Sequence, residues 1–351
     1  MTPATLPEGS GAAITLTGLM LLLSSCASFD RPAPRPPVAT VTPGTEIARD
    51  EGFVWLSARE GDTEDTISQT VFGDMLHGQR VKPATAADGP ALKAGDPVAV
   101  SLKPIHLCGP AAGGDDGVTI LTYHRLAPRN PSRTKMIVTS EQFKAQMRYL
   151  VENGYHVVPL RLFEAYLSGK DDLPSKSVVI TFDDGYRSLL TEAAPELERR
   201  KLPATVFVYL DFIGSPDALS FTDLHQLAAD GLIDVQYHSK THQDLTIVRR
   251  DDTSDTRRRR LSQEFASDAV LARRAGIAPS VYFAFPYGAA DLRVLKTMED
   301  EGRWRLGLTV LPGQETCWAD PKLLRRTMVF GTDSLAEFVG KLALRPRPPS
   351  K

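Results

Sequence analysis

Two short strings of polar residues hold the groups in this chain best suited to acid–base or metal chemistry. Asp183 and Asp184 stand side by side directly after the apolar run 178–182, and His238 and His242 are four positions apart. Two carboxylates at the end of a buried strand are costly unless they are paired or bind a cation. Because they are consecutive, their side chains point in different directions and can hold different roles. Histidines at this spacing on a helical turn can bind one metal ion, and one carboxylate would complete a two-histidine, one-carboxylate site.

Each string also has an ordinary explanation. The D-D-G string can be a turn in which one carboxylate caps a helix that begins near Ser188, and a lone pair of histidines at this spacing is usually incidental. The placement favours chemistry, because both strings, together with His124 and the turn 286–288, follow apolar β-branched runs.

The elements that would position these residues alternate regularly from residue 118 to about 344. The predicted strands are 118–124, 156–160, 177–184, 204–210, 233–239, 281–288, 306–311 and 327–330. The predicted helices are 140–153, 188–201, 221–230, 261–275 and 291–302. Strands that alternate with helices pair in parallel, and seven or eight such units can close into a barrel. Since the carboxyl ends of barrel strands meet on one face, we expect the polar residues to converge there.

The composition is that of a globular protein. The chain has 351 residues, of which 42% are hydrophobic and 24% charged, and its formal net charge is −2. These values exclude wholesale disorder and show no basic excess that would indicate nucleic-acid binding. Three cysteines are too few for a disulfide scaffold. The basic run 257–260 has aspartates close by and is predicted to be a solvated, locally neutralised linker.

Residues 1–26 resemble a bacterial lipoprotein signal. The apolar run 12–23 has the length of a signal-peptide core and is short for a membrane span. It leads into L-S-S-C, ending at Cys26, which resembles a lipobox, although no Lys or Arg precedes it. The resemblance implies that Cys26 is lipidated, that the Pro-rich residues 27–50 are a tether, and that Ala27 favours the outer membrane. A buried helix with an incidental cysteine is the alternative.

Residues 51–107 are predicted to form a small α+β module. The string REGDTEDTISQTVFGD predicts a strand, a turn and an amphipathic helix, and ALKAGDPVAV predicts a turn and a short strand. This layout resembles a LysM module, which binds glycans that contain N-acetylglucosamine; an accessory fold without a ligand is the alternative. The glycine-rich residues 108–117 mark a linker to the larger domain, 118–344, and residues 345–351 form a tail.

Three motifs in the larger domain resemble those of polysaccharide deacetylases with a NodB-homology domain. They are T-F-D-D-G-Y at 181–186, H-S-K-T-H at 238–242 and F-P-Y-G at 285–288. The resemblance covers about residues 118–330 and implies a distorted (β/α)7-type barrel. His124, in a Y-H pair ahead of these motifs, resembles the permuted branch that includes poly-N-acetylglucosamine deacetylases, whose catalytic histidine is N-terminal. No histidine follows His242, which agrees with that branch.

The resemblance implies a role for each matching residue. Asp183 would be the general base for the attacking water, and His124 would protonate the leaving amine. The backbone amide near Tyr186 would help to hold the oxyanion. The implied metal ligands are Asp184, His238 and His242. The implied residues of the substrate groove are Pro286, Tyr287 and Gly288.

One position departs from the family pattern. Many members carry an arginine two residues before the proline of the third motif, where it orients the catalytic base. This chain has Ala284 there, so Asp183 needs support from elsewhere. Arg325 or Arg326, just before the last predicted strand, could supply it; a simple surface role is the alternative for either.

These patterns predict an exported, lipid-anchored, metal-dependent deacetylase that acts on an acetylated amino-sugar polysaccharide. Zinc is the default metal, and the ligands also suit cobalt, nickel or iron. Peptidoglycan, chitooligosaccharides and O-acetylated glycans are alternative substrates, and a barrel that only binds glycan is the alternative outside the enzymes. Cys108 and Cys317 are left as an even pair, either bonded to each other or both free.

Overall fold

The computed structural model describes residues 44–83, 92–103 and 117–343. The predicted signal segment with Cys26, most of the tether, Cys108 and the tail 345–351 lie outside these ranges. Within them, none of the helices combines the length and the apolar character needed to cross a membrane. Cys317 is disulfide-bonded, so the alternative of a free thiol is wrong for this residue.

The amino-terminal part of the described chain is a four-stranded antiparallel sheet covered by one helix. Its strands are β1 (Glu46–Arg49), β2 (Phe53–Ser57), β3 (Val81–Pro83) and β4 (Pro97–Ser101), paired in the order β1-β2-β4-β3. Helix α1 (Glu64–Phe72) begins with a capping box between Thr63 and Thr66 and ends at Gly73 in the left-handed conformation. The predicted strand–helix–strand order is present, and the sheet starts before residue 51. The LysM-like assignment stays a prediction.

The larger domain alternates strands and helices. Its strands are β5 (Val118–Tyr123), β6 (Arg125–Ala127), β7 (Ile137–Thr139), β8 (His156–Val157), β9 (Ser177–Phe182), β10 (Ala204–Val208), β11 (Ile233–Tyr237), β12 (Tyr282–Ala284), β13 (Leu306–Leu308), β14 (Gln314–Glu315) and β15 (Thr327–Met328). Its helices are α2 (Ser140–Glu152), α3 (Leu160–Leu167), α4 (Ala194–Arg200), α5 (Phe221–Asp230), α6 (Ser254–Ala266), α7 (Asp268–Ala275), α8 (Leu292–Asp300) and α9 (Leu335–Lys341). A π-helical turn, Leu189–Ala193, leads into α4.

Parallel strands form a curled sheet that closes on itself. Strands β5, β9, β10, β11, β12 and β13 pair side by side in that order, and β15 pairs with β5. Just before β15, Leu324 pairs in parallel with Leu308 of β13, so the segment 324–328 connects the two edges of the row. The predicted distorted (β/α)7-type barrel is thereby confirmed.

The barrel has a core on each side of its sheet, because alternate residues of a strand face opposite sides. Val179 of β9 and Ile120 of β5 belong to the interior cluster. Ile180 and Leu121, one residue further along, belong to the outer cluster under the covering helices. Helix α3 fills the interior near the amino ends of the strands, since β8 just before it pairs with the start of β9.

Several elements differ from their predicted bounds. Predicted strand 281–288 is reduced to β12, because the chain turns from Pro286 onward. Predicted helix 261–275 is two helices, α6 and α7, which meet at Ser267. The basic run 257–260 lies within α6, so the prediction of a linker was wrong. Thr253 and Thr256 form a capping box that starts the helix ahead of the run. The short helices α3 and α9 were not predicted.

Candidate metal centre and active site

Strand alternation sends three of the predicted site residues into the barrel. In β9, Val179 faces inward and Phe182 faces the outer core, so the next position, Asp183, faces inward again. By the same count, His124 follows β5 and His238 follows β11 at inward positions. All three stand at the carboxyl ends of strands in one sheet, where the sequence predicted that the polar residues converge.

Arg326, fully buried just before β15, holds Asp183 by both carboxylate oxygens. Its Nη1 donates to Oδ1 at 2.6 Å, its Nη2 donates to Oδ2 at 2.8 Å, and its Nε donates to the Thr309 carbonyl at 2.8 Å. Burial raises the pKa of Asp183, but the Arg326 guanidinium and nearby histidines outweigh it and hold the pKa at about 2. Asp183 is therefore an ionised carboxylate in a fixed orientation.

Arg326 is the charged partner for Asp183 that Ala284 cannot be. The Ala284 side chain is fully buried in the barrel interior and carries no charge. Arg325, the other arginine considered for this role, donates its backbone amide to Glu315 and its Nη1 to the Pro312 carbonyl at 3.4 Å. Of the two arginines, the described structure brings only Arg326 into contact with Asp183.

Asp184, His238 and His242 converge to form a candidate metal site. One ligand atom from each residue lies within 4.8 Å of the others. Asp184 Oδ1 is 3.2 Å from Nε2 of His242 and 3.7 Å from Nε2 of His238. This buried oxygen receives no hydrogen bond of good geometry from the described residues, a costly condition that a bound cation would relieve. The three residues fit a divalent cation held by two imidazoles and one carboxylate.

His238 is oriented as a neutral ligand. Its Nδ1 donates to the carbonyl of Ala284 at 2.7 Å, and because a carbonyl only accepts, Nε2 carries the lone pair. Burial lowers the pKa of His238, and the neighbouring carboxylates oppose this only in part. For Asp184 the balance is reversed: burial raises its pKa, but His242 and His238 bring it below its ordinary value.

The segment between the two histidines is a strained loop and not the helical turn on which the spacing argument depended. Ser239 and His242 have φ angles of 77° and 58°. Asp184 and Tyr287 also have positive φ, so four of the seven such non-glycine residues in the described ranges lie at this site. Left-handed backbone costs energy for these residue types and is concentrated at functional sites.

Glu264, a buried residue of α6, holds this loop in place. Its carboxylate accepts from the backbone amides of Lys240 and Thr241 at 2.9 and 3.0 Å, and from the Thr241 hydroxyl at 2.8 Å. The Ser239 hydroxyl accepts from the His242 amide at 3.0 Å. Sequence reasoning missed Glu264, because a glutamate within a helix gives no sign of partners more than twenty residues earlier.

His242 lies between two tyrosines. Its ring centroid is 5.0 Å from that of Tyr209, which follows β10, and 4.9 Å from that of Tyr287 in the third motif. Gly288, next in the motif, has a φ of 69°, and a Cβ there would come within 2.4 Å of the Val310 nitrogen. Only glycine fits this turn, which places the Tyr287 ring beside the metal cluster. Tyr209 was not predicted.

The remaining predicted residues surround the same opening. His124 is half-buried and close enough to lower the pKa of both aspartates. Tyr186 is half-buried. Its backbone amide takes no part in the hydrogen bonds that join residues 185–187 to residues 217–219. Pro286 is buried at the start of the third-motif turn.

Comparisons with known proteins agree with this geometry. Residues 170–303 match the family model described as polysaccharide deacetylase. The chain carries a polysaccharide deacetylase domain. The matched range contains Asp183 and all three residues of the candidate metal site. Two further predicted residues beside this cluster, His124 and Arg326, lie outside the matched range and are placed by the barrel itself.

Relatives of the deacetylase domain include proteins with a named substrate. The Bacillus subtilis protein YxkH, whose name places it among polysaccharide deacetylases, is 28% identical over 195 residues, which are 55% of this chain and 64% of YxkH. A poly-beta-1,6-N-acetyl-D-glucosamine N-deacetylase of Staphylococcus epidermidis is 28% identical over 229 residues, which are 60% of this chain and 78% of that protein. The structure of IcaB from Ammonifex degensii is 26% identical with a TM-score of 0.56, over 65% of this chain and 97% of that one.

Proposed function

We propose that the deacetylase domain hydrolyses the N-acetyl groups of N-acetylglucosamine units in an exopolysaccharide similar to poly-N-acetylglucosamine. The observation that carries this proposal is the difference between two adjacent aspartates. Asp183 is kept ionised and oriented by Arg326, whereas Asp184 faces two histidines across an unpaired oxygen. The name of the S. epidermidis relative supports an amino-sugar polymer as the substrate.

Asp184, His238 and His242 would hold the metal, which we propose to be zinc; cobalt, nickel and iron suit the same ligands. A divalent cation there would polarise the acetyl carbonyl and make a water molecule more acidic. The neutral His238 and the ionised Asp184 are already in the protonation states that such binding requires.

The chain's own residues supply the proton transfers. Asp183 accepts the proton of the attacking water, and Arg326, which stays charged, keeps the accepting oxygen in place. His124 donates a proton to the nitrogen of the leaving amine. The Tyr186 amide donates a hydrogen bond to the oxygen that becomes negative when the acetyl carbon turns tetrahedral. Tyr287 forms a wall of the substrate groove.

Acetate release from defined glycans tests the proposal. The protein is stripped with a chelator, divided, and assayed with and without added zinc on β-linked N-acetylglucosamine oligomers, chitooligosaccharides and O-acetylated xylan. We expect release from the amino-sugar oligomers, loss on chelation and recovery with metal. Full activity of the stripped protein would exclude the metal, and release from O-acetylated xylan alone would exclude N-deacetylation.

A matched pair of variants tests the division between the aspartates. Asp183→Asn should keep its metal and lose about a hundred- to ten-thousand-fold in kcat, the usual size of a proton-transfer contribution. Asp184→Asn should lose metal and activity together. Bound metal is measured together with turnover. If Asp183→Asn lost the metal and Asp184→Asn kept it, Asp183 would be the metal ligand and Asp184 the general base.

We further propose that the protein is exported and lipid-anchored at Cys26 on the periplasmic side of the outer membrane. The apolar run and the L-S-S-C string support this. Labelled fatty acid should be incorporated and the protein should fractionate with membranes. Unchanged labelling and fractionation of Cys26→Ala would overturn the proposal.

A further inference from the structure

The barrel has a second surface at the amino ends of its strands, opposite the candidate active site. Met75, Arg161, Lys170 and Trp318 lie on this surface, which we call the amino-end face. Residues 76–80, just before β3, join the barrel here, because they contact α3 and the residues that precede β9. The part of the described chain that precedes the barrel is therefore attached at the face that points away from the active site.

A tryptophan stands in solvent on the amino-end face. Trp318 is 79% exposed. Strand β14 runs antiparallel to the first residues of β5, with Glu315 opposite Val118, so the chain leaves β14 toward this face. Ala319, next to Trp318, packs against the interior cluster, and Cys317 on the other side is disulfide-bonded. An indole ring held in solvent by a turn fixed on both sides suits a partner with apolar and polar layers, since indole has both characters.

A methionine on the same face adds a second exposed apolar group. Met75 is 53% exposed. It stands next to Leu76, whose side chain packs against the same interior cluster as Ala319. The flexible thioether side chain of methionine adapts to irregular surfaces. Met75 and Trp318 are thus two large apolar side chains that firmly packed neighbours hold out from the amino-end face.

A pocket of about 560 Å³ opens on the amino-end face, between α3 and the segment that carries Met75. The acidic residues in its lining already have partners. Glu164 pairs with Arg305 at 3.3 Å, and the other two acidic residues, Asp74 and Asp171, lie 2.8 and 3.0 Å from the ring nitrogens of His77. These carboxylates are therefore not free to bind a cationic ligand.

Two cationic residues of the same pocket remain available. Arg161 of α3 and Lys170, just after that helix, are both exposed. Neither side chain makes a hydrogen bond or an ion pair with any residue that the structure describes. A guanidinium and an ammonium group without carboxylate partners suit an anionic group such as a phosphate.

Two observations favour phosphate groups of a membrane over a soluble anion. The exposed apolar side chains of Met75 and Trp318 lie on the same face as the cations, and this combination is typical of proteins that insert shallowly into a membrane interface. In addition, residues 27–43 separate Cys26 from the described chain and can span at most about 60 Å. A lipid chain on Cys26 would therefore keep the amino-end face within reach of a bilayer.

We propose that the amino-end face lies against the phospholipid headgroups of the membrane that anchors the protein. Met75 and Trp318 enter the headgroup layer, and Arg161 and Lys170 bind lipid phosphates. The inference rests on the proposed lipid anchor at Cys26 and adds an orientation to it. The active site, at the other ends of the strands, points away from the membrane and toward the polymer.

Quenching of tryptophan emission by bromine-labelled acyl chains tests this orientation. The protein as purified and its Cys26→Ala variant are mixed with vesicles of phosphatidylethanolamine and phosphatidylglycerol that contain the labelled lipid. Of the three tryptophans, Trp304 is buried, and Trp55 and Trp318 are exposed. We expect quenching that Trp318→Phe removes and Trp55→Phe leaves in place. Quenching that Trp55→Phe removes instead would place the amino-terminal sheet against the membrane and overturn the proposal.

A matched pair of double variants tests the cations in the Cys26→Ala background. Arg161→Gln with Lys170→Gln should weaken binding to the anionic vesicles about fivefold per charge, the usual effect of a basic residue near such a surface, and much less on phosphatidylcholine alone. Arg129→Gln with Arg133→Gln is the control. These two arginines are exposed between β6 and β7, at the carboxyl end of β5, and likewise have no ion pair with the described residues. Equal affinities of the two double variants would overturn the role of the cations.

The outcomes separate this inference from the lipid anchor. Quenching of Trp318 in the protein as purified and in Cys26→Ala alike, with no fatty acid on Cys26, would uphold the amino-end face and overturn the anchor. Membrane attachment through Cys26 without quenching of Trp318 would overturn the face and leave the anchor standing. Binding of inorganic phosphate that requires Arg161 and Lys170, with no quenching by vesicles, would identify a soluble anion as the occupant and also overturn the membrane proposal.

Discussion

The chain contains two pairs of adjacent aspartates near the two ends of β9, and their surroundings use the same residue types to different effect. Asp171 and Asp172 precede the strand and contact residues 77–80, just before β3, at a place that we call the junction. There Arg80 donates its Nε to Asp172 at 2.8 Å and also pairs with Asp171, which faces His77 at 3.0 Å. Asp183 and Asp184 follow the strand and likewise meet an arginine and histidines.

The two regions differ in the partners of their histidine nitrogens and aspartate oxygens. At the junction, His77 has a carboxylate at each ring nitrogen, Asp74 at 2.8 Å and Asp171 at 3.0 Å. At the active site, His238 is tied to a backbone carbonyl, and its other nitrogen faces a carboxylate oxygen without a donor. The two regions thus combine the same residue types and differ in the histidine's partners: two carboxylates at His77, and one backbone carbonyl beside an Asp184 oxygen at His238.

The largest effect on stability should come from replacing Arg326, which pairs with Asp183. Arg326→Gln leaves Asp183 buried without a counter-ion, which we expect to lower the free energy of unfolding by roughly 3–5 kcal/mol. In the wild type the pKa of Asp183 is held at about 2, below its ordinary value of 3.8, so the pair stabilises above that value and the stabilisation is lost as pH falls toward 2. In the variant, burial is opposed only by the neighbouring histidines, so the pKa of Asp183 should rise and the loss of stability on acidification should be smaller.

Denaturant unfolding of the Arg326 variant across acid to neutral pH measures both effects. Arg325→Gln is the matched control and should change stability by no more than about 0.5 kcal/mol, as for a surface site. Equal stability and equal pH dependence of Arg326→Gln and the wild type would mean that the two aspartate pairs do not differ as described.

Replacing Arg80 at the junction should lower the free energy of unfolding and leave the bound metal unchanged. Arg80→Gln removes charged hydrogen bonds to both junction aspartates, at a cost of about 1.5–3 kcal/mol. Because the junction lies at the other end of β9, bound metal and kcat should not change. Arg49→Gln, at the end of β1, is the control, since the ion pair of Arg49 with Glu46 is exposed. A fall in metal content in Arg80→Gln would show that the two ends are coupled.

The loop that carries His242 should depend on Glu264. Glu264→Gln removes the charge of the group that accepts from the Lys240 and Thr241 amides, and replaces the oxygen that accepts from the Thr241 hydroxyl with a donor. We expect metal affinity to fall about 10–100-fold, as when a group that orients a ligand is lost. Glu196→Gln removes an equally buried carboxylate that pairs with Arg199 and Arg200 away from the site. Competition with a chelating dye reports metal affinity for both, and equal affinities would remove the positioning role of Glu264.

Ser239→Ala should have the smallest effect. It removes one hydrogen bond, worth about 1 kcal/mol, which corresponds to about fivefold in metal affinity if the whole loss falls on the bound state. The control is Ser177→Ala at the opposite end of β9, where the hydroxyl donates to the Pro174 carbonyl at 2.7 Å. The same dye competition should separate the two variants; a larger effect from Ser177→Ala would contradict the expected order.

The residues at strand ends were predictable because their position depends on short-range patterns. Apolar β-branched runs predict where β5, β9 and β11 end, and parallel pairing brings those ends together. The sequence alone was therefore enough to place His124, Asp183 and His238 together at one face of the barrel. The barrel followed from the same alternation. The bounds of the strands were less accurate, since the runs continue into turns such as the one at Pro286.

The rest depended on contacts that no local pattern records. Arg325 and Arg326 are equivalent in sequence, and only the packing of the segment 324–328 between β13 and β5 turns one inward. The left-handed backbone at Ser239 and His242 is imposed by Glu264 and cannot be inferred from residue types that normally avoid it. The helical position of the basic run was missed because its capping box lies outside the run.

The pairing of Asp183 with Arg326 also has a consequence for folding. The two residues are 143 positions apart, and Arg326 is the last of the predicted site residues along the chain. Until the two meet, the folding barrel carries a carboxylate without its buried partner and a sheet that is not yet closed. Since contacts of such sequence separation form late, the final closure of the barrel and the pairing of Asp183 with Arg326 are one folding event. A chain that ends before Arg326 would therefore retain Asp184, His238 and His242 and still lack the partner that Asp183 needs for burial.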